Sequence, residues 1–292
     1  MRGFEGAYTA IVSPFRDGRL DEKGLRKNIE HQIKGGVDGI VPVGCTGESA
    51  TLTPEEHKRI VEIAVEEAKG KVKVIAGAGS NNTIEALEYT RHAKEVGADG
   101  VLVITPYYNK PTQKGLIAHY SEIAKLGMPM VLYAVPSRTG INIAPDTTIE
   151  LAKEHSNIIA IKDAAGSLNQ VSEEALRAPE GFTVLSGDDS LTLPMISVGA
   201  KGVISVASNL VPEKISEMVG SALKGDWAKA LEIHQKEFPL FRALFIETNP
   251  IPVKAAMGMI GLAAGEPRMP LQEAQEKTKQ ELSRVLELTG AK

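Results

Sequence analysis

Short runs of apolar residues alternate with longer stretches of helical periodicity along most of this chain. Eight runs predict strands: "AYTAIVSPF", "GIVPVG", "VKVIAGAGS", "GVLVITP", "MVLYAVP", "IIAIKDAA", "FTVLSGD" and "GVISVAS". Most are continuous rather than alternating, the pattern of parallel strands covered on both faces. The stretches between them predict helices. In "TPEEHKRIVEIAVEEAKG", Thr53 and Glu56 stand at capping-box spacing, and Ile60, Val61, Ala64, Val65 and Ala68 make one apolar stripe. Gly70 follows as a stop signal.

Three helix-to-strand junctions echo one another: "GGVDGIVPVG", "VGADGVLVIT" and "VGAKGVISVA". Each has a Gly to end the helix and a second Gly to open the strand. Eight strands alternating with helices predict an α/β fold, a (β/α)8 TIM barrel, over an open doubly wound sheet. The open sheet also expects G-x-G-x-x-G after its first strand, where this chain has "SPFRDG". "GAGSNN" after the third strand is better explained as a tight turn. From Val211 onward only helical patterns remain, broken at "NPIP" and "GEPRMP". The expected organisation is a catalytic barrel over residues 1–226 and a C-terminal helical extension, 227–292, packed on it without a linker.

Composition narrows the function. The 292 residues are 42% hydrophobic and 24% charged, with a net charge of −4 and mixed signs. No basic stripe offers itself to nucleic acid, and no apolar run approaches a membrane span. The opening "MRGFEGAYTAIV" lacks a signal-peptide plan, and one cysteine, Cys45, suits a reducing compartment. The expected location is the cytoplasm. The six histidines, His31, His57, His92, His119, His155 and His234, show no metal-ligand spacing, so no metal site is expected. A phosphate-binding loop and G-x-S-x-G are both absent.

In such a barrel the chemistry sits at the C-terminal strand ends and the loops beyond them. That rim gathers Cys45 and Thr46 in "VGCTGESA", Tyr107 and Tyr108 in "TPYYNKP", Tyr133 in "VLYAVP", Arg138 in "PSRTG", Lys162 in "IIAIKDAAG", and Ser186 to Asp189 as "SGDD". Each also has a plain structural explanation. Paired tyrosines commonly pack, a loop arginine is commonly a surface charge, "GCTGE" suits a Gly-rich turn and "SGDD" a helix cap. Lys162 either emerges into solvent at a strand end or sits in a cavity with a task. A buried lysine without metal or phosphate loop points to covalent amine catalysis. Desolvation favours the neutral amine, which attacks a carbonyl to form a Schiff base, and a nearby phenol moves the protons.

The motifs "GCTGESATL", "TPYYNKPTQ", "YAVPSRTG", "IKDAAG", "SGDD", "GVISVASN" and "ETNPIPVK" resemble the dihydrodipicolinate (4-hydroxy-tetrahydrodipicolinate) synthases. These belong to the pyruvate-dependent class I aldolase superfamily, with N-acetylneuraminate lyase. The resemblance spans nearly the whole chain, with the motifs in family order. It implies condensation of pyruvate with aspartate 4-semialdehyde, the first committed step towards diaminopimelate and lysine.

By motif, Lys162 would form the Schiff base and Tyr133 would exchange protons beside it. Tyr108 would reach a neighbouring subunit's site, Thr46 would bind the pyruvate carboxylate, and Gly187 and Ile204 would line the pocket. Arg138 would hold the carboxylate of the semialdehyde. No cofactor beyond the covalent Schiff base is implied, and a homotetramer of two tight dimers is. Two positions depart from the family: Cys45 stands where Thr is usual in the proton relay, and Ala134 where Asn is common.

In lysine-inhibited relatives the regulator binds near positions matching Ser49, Ala50, His57, Asn81, Glu85 and Tyr107. Pro54 stands where some of these relatives have His, so inhibition by lysine is expected to be weak or absent. Two rivals stand beside this reading. A sugar-acid aldolase or lyase of the same superfamily typically lacks the loop arginine found here as Arg138. A catalytically silent ligand-binding homologue would have little use for both Lys162 and Tyr133.

Overall fold

The eight apolar runs form eight strands in the computed structural model, which describes residues 3–292. They are β1 (Gly6–Ala10), β2 (Gly39–Val41), β3 (Lys73–Gly77), β4 (Gly100–Ile104), β5 (Met130–Ala134), β6 (Ile158–Asp163), β7 (Thr183–Ser186) and β8 (Gly202–Ser205). Each is hydrogen-bonded to its neighbours in chain order, and β8 closes onto β1 to complete a barrel. The seven pairs from β1–β2 to β7–β8 are all parallel. This is the (β/α)8 fold expected from the alternation. Met1 and Arg2, at the start of the opening segment, lie outside the described residues.

Several strands are shorter than their apolar runs, each ending one or two residues before a Pro or Gly: Pro42, Gly79, Pro106, Pro136 and Gly187. Every residue of β1, β5 and β6 is buried, as expected of strands covered on both faces. The "GAGSNN" segment is a short connection from β3 to the helix Thr83–Glu95, whose first turn is capped by the Asn82 side chain. A Cβ on Gly79 would lie 2.3 Å from the Ile104 backbone nitrogen. Close backbone approach therefore requires glycine there, and no nucleotide-binding role need be invoked.

The chain divides into two compact units. One comprises residues 3–6 with Ile75–Ile204, and the other Ala7–Val74 with Ser205–Lys292. The first contains β4 to β7 and the helices between them. There the register sets Val131 against Ala160, Leu132 against Ile161 and Tyr133 against Lys162. The second contains β2, the helices Glu22–Lys34 and Pro54–Ala68, and the C-terminal helices Pro212–Leu223, Trp227–Ala243, Ile251–Met259 and Glu276–Thr289. The helix Pro54–Ala68 has the expected capping box, each partner satisfying the other's backbone N–H. Its buried face is His57, Ile60, Val61, Ile63, Ala64 and Ala68, with Val65 half-buried beside it. Among the described residues, no helix is long and apolar enough to cross a membrane.

Candidate active site

Lys162 is buried, with 5% of its surface exposed, which rules out a solvated strand-end lysine. Tyr133 is its register partner on the neighbouring parallel strand, and partners in such a pair project to the same face. The Lys162 Nζ accordingly lies 4.2 Å from the centre of the Tyr133 ring. Gly187 keeps space beside them. A Cβ there would stand 3.1 Å from Lys162 Cε and 2.7 Å from Ala164 Cβ. The Gly187 N–H also donates to the Asp163 carbonyl at 2.7 Å, tying the loop after β7 to the end of β6.

Asp163 alternates to the opposite face from Lys162 and anchors a buried polar cluster. Its carboxylate accepts from the Ala165 N–H and from Gln170 Nε2, each at 2.8 Å. Asn142 Nδ2 donates to the Gln170 side-chain carbonyl at 2.7 Å, and the Thr148 hydroxyl donates to Glu174 at 3.4 Å. Burial raises the Asp163 carboxyl above its ordinary range. Burial, followed by the charge of Asp163, pushes Glu174 up to about 8. The cluster therefore braces the helix Leu168–Arg177 against the strand that carries Lys162.

Arg138 is exposed on a single helical turn, Pro136–Thr139, immediately after β5. Gly140, at φ +73°, closes that turn by donating its N–H to the Pro136 carbonyl at 2.9 Å. The buried Thr139 hydroxyl donates to the Ile141 carbonyl at 2.8 Å. Tyr107 is half-buried, whereas Tyr108 is 90% exposed and holds a left-handed backbone at φ 73°. Ile204 is wholly buried in β8. In "SGDD", Asp188 is the cap: its carboxylate accepts from the Ser190 N–H at 2.8 Å.

In the second unit, Cys45 and Thr46 lie on the loop after β2. The loop is bounded by two left-handed residues, Val43 at φ 51° and Glu48 at φ 55°. Within the loop the Glu48 N–H donates to the Cys45 carbonyl at 3.1 Å, and from 34 positions earlier the Ser13 hydroxyl donates to the Gly47 carbonyl at 2.7 Å. Cys45 is a half-buried free thiol. Thr46 is buried, and Asn249 Nδ2 donates to its hydroxyl oxygen at 3.0 Å.

Of the positions expected to bind a regulator, Ser49 starts a short turn, Ala50 is exposed and His57 is buried in this same unit. Asn81, Glu85 and Tyr107 are half-buried in the other. There the Ser80 hydroxyl donates to the Glu85 carboxylate, and Asn109 Nδ2 donates to the Asn81 carbonyl at 2.8 Å. Pro54 opens the helix Pro54–Ala68, a first-turn position that suits proline.

Inspection of the sequence missed several supporting residues. Asn249 and Lys254 lie in "ETNPIPVK" and Glu48 in "GCTGESATL", but 206 positions separate Glu48 from Lys254, and no local signal announces their pairing. Gln170 and Glu174 do show i, i+4 spacing on one helix, and Asp163 directly follows Lys162 in an apolar strand.

A closed parallel barrel with a buried lysine and a phenol on adjacent strands defines the class as an α/β-barrel enzyme. The chain belongs to the Dihydrodipicolinate synthetase family, which it matches over residues 3–289. It is 56% identical to the 4-hydroxy-tetrahydrodipicolinate synthase of Methanospirillum hungatei over 287 residues, covering 97% of this chain and 98% of that one. The crystal structure of dihydrodipicolinate synthase from Aquifex aeolicus superposes with a TM-score of 0.97 at 48% identity, covering 99% of both chains. That of the Cyanidioschyzon merolae enzyme with lysine bound gives 0.96 at 40% identity, again over 99% of each chain.

Proposed function

We propose that this protein is a lyase of the class I aldolase type that condenses pyruvate with aspartate 4-semialdehyde to give 4-hydroxy-tetrahydrodipicolinate, towards diaminopimelate and lysine. The observation that carries this reading is the buried Lys162 set against the ring of Tyr133, in a chain similar over its whole length to synthases of that name.

The neutral Lys162 amine attacks the ketone carbon of pyruvate. A carbinolamine forms and loses water, leaving an imine that withdraws electrons from the methyl carbon. Loss of a methyl proton gives the enamine, whose carbon attacks the aldehyde of the second substrate. The substrate's own amine then displaces Lys162 as the ring closes. Tyr133 moves protons in these steps. Tyr108, from a neighbouring subunit of a homotetramer, and Cys45 extend the relay. Thr46 receives the pyruvate carboxylate through its hydroxyl and N–H, Gly187 and Ile204 line the pocket, and Arg138 grips the semialdehyde's carboxylate with its planar fork. No cofactor takes part, and the protein works in the cytoplasm. The matching regulatory positions, with Pro54 in place of a polar side chain, support weak control by lysine or none.

Purified protein is to be assayed with both substrates and the cyclic product measured. Turnover that needs pyruvate and semialdehyde together is the expected result. Cleavage of a sugar acid without such turnover would place the chain on another branch of the superfamily. Failure of borohydride to trap pyruvate would leave a silent homologue.

A further inference from the structure

Glu48 and Lys254 form an ion pair withdrawn from solvent. Lys254 Nζ lies 2.6 Å from Glu48 Oε1, and each side chain is 1% exposed. The pair is fully satisfied. Lys254 also donates to the carbonyls of Ser13 and Glu266, each at 3.2 Å, which uses all three ammonium donors. The second carboxylate oxygen of Glu48 accepts the Arg268 backbone N–H at 2.8 Å. The Phe15 ring receives both cations, with Lys254 Nζ 4.3 Å and the Arg268 guanidinium carbon 4.0 Å from its centre. Burial pulls the Lys254 ammonium below its ordinary value, and the charge of Glu48 opposes that fall.

Stability alone is a poor reason for such a pair, because apolar residues of similar volume commonly serve as well or better. Backbone conformation adds a second cost, since Glu48 holds a left-handed φ of 55° without being glycine. What the arrangement does supply is a fixed geometry. Glu48 stands two residues after Thr46 on one loop. Lys254 stands five residues after Asn249, whose amide donates to the Thr46 hydroxyl at 3.0 Å. The same two segments are thus tied at both ends, once by charge and once by a neutral hydrogen bond.

We propose that the Glu48–Lys254 ion pair is a positioning device for Thr46, holding the loop 44–48 on the helix Ile251–Met259 so that the Thr46 hydroxyl and N–H stand ready for a carboxylate. The proposal rests on the pyruvate-binding role given to Thr46 above. Neither member of the pair touches substrate; both act through Thr46.

The test compares the wild-type protein with Glu48→Gln, Lys254→Met and the double variant, in turnover and in borohydride trapping of pyruvate, with thermal unfolding followed in parallel. Since a misplacement of about 1 Å costs on the order of a hundredfold, the variants are expected to raise the pyruvate KM by roughly ten- to a hundredfold. The semialdehyde KM and kcat at saturating pyruvate should move far less. The double variant, which leaves no lone buried charge, should recover the unfolding temperature but not the pyruvate KM.

An unchanged pyruvate KM in any folded variant overturns the proposal. So does a KM that returns to wild type in the double variant as stability returns. If the single variants do not fold, the double variant decides. Should the wild type trap pyruvate without condensing it, the proposed activity fails, but the half-saturation of trapping still tests the ion pair. A wild type that does not trap pyruvate overturns both.

Discussion

Lys162 and Tyr133 occupy matched positions on neighbouring parallel strands, with the lysine nitrogen 4.2 Å from the centre of the ring. Strand spacing of about 4.8 Å, rather than a chosen rotamer alone, sets that separation. Lys162→Ala should therefore abolish borohydride trapping of pyruvate while preserving the circular-dichroism spectrum of the barrel. Gly187→Ala should slow trapping without abolishing it, because the added methyl meets Lys162 Cε at 3.1 Å. Mass spectrometry of trapped protein checks both, and trapping that persists in Lys162→Ala would reassign the nucleophile.

Arg138 is exposed on a one-turn helix, and the proposed function gives it the carboxylate of the semialdehyde. Arg138→Ala is expected to lower kcat/KM for the semialdehyde by the equivalent of about 1.5–3 kcal/mol, the usual worth of a hydrogen bond to a charged group. Trapping of pyruvate should change little. Steady-state kinetics alongside trapping separates the two effects, and equal losses in both would mark Arg138 as structural.

In the proposed relay Cys45 offers a thiol where a threonine would offer a hydroxyl, and a thiol donates and accepts hydrogen bonds weakly. A positioned proton-transfer group is commonly worth about 10²–10⁴-fold, of which the thiol retains part. Cys45→Thr should raise turnover with little effect on trapping, measured on the two proteins side by side. A variant no faster than wild type would show that cysteine is adapted to this site.

Glu174 has 0% of its surface exposed, and its carboxyl is pushed from 4.5 up to about 8. Because the folded-state value is the higher one, the folded protein holds a proton that the unfolded chain releases. Stability from this group is intact below pH 4.5 and declines as pH rises towards 8, by at most about 1.4 kcal/mol per unit. Glu174→Gln removes the ionisable group and should flatten that part of the curve, leaving the variant the more stable at pH 7.5. Denaturant unfolding at several pH values checks this, and parallel curves for both proteins would count against it.

Lysine should inhibit weakly or not at all. Pro54 offers no polar side chain, and the Glu85 carboxylate is already engaged by the Ser80 hydroxyl. Turnover and calorimetry across a lysine titration test this; tight inhibition at low lysine concentration would refute it.

Most of the barrel was legible in the sequence, because parallel strands buried on both faces announce themselves as continuous apolar runs closed by Pro or Gly. The strand positions of Lys162 and Tyr133 and the capping box of Thr53 and Glu56 follow from local pattern, whereas the burial of Lys162 does not. Glu48, Asn249 and Lys254 were beyond local reach, since a buried charge is stable only beside a partner far along the chain. Val65 failed for a smaller reason: the helix buries a face wide enough to take Ile63, which lies off the stripe.

The matched register of Tyr133 and Lys162 also bears on how this scaffold diversifies. Lys162 and Tyr133, on paired strands, are fixed by the hydrogen-bond ladder, whereas Arg138 rides on a turn closed by Gly140. Insertions, deletions or exchanges in that turn leave the ladder untouched, so under the proposed roles acceptor choice is free to drift while Lys162 and Tyr133 keep their spacing. A graft of the segment 136–140 from a relative with another acceptor becomes a route to altered selectivity in which the carbon–carbon chemistry is inherited unchanged.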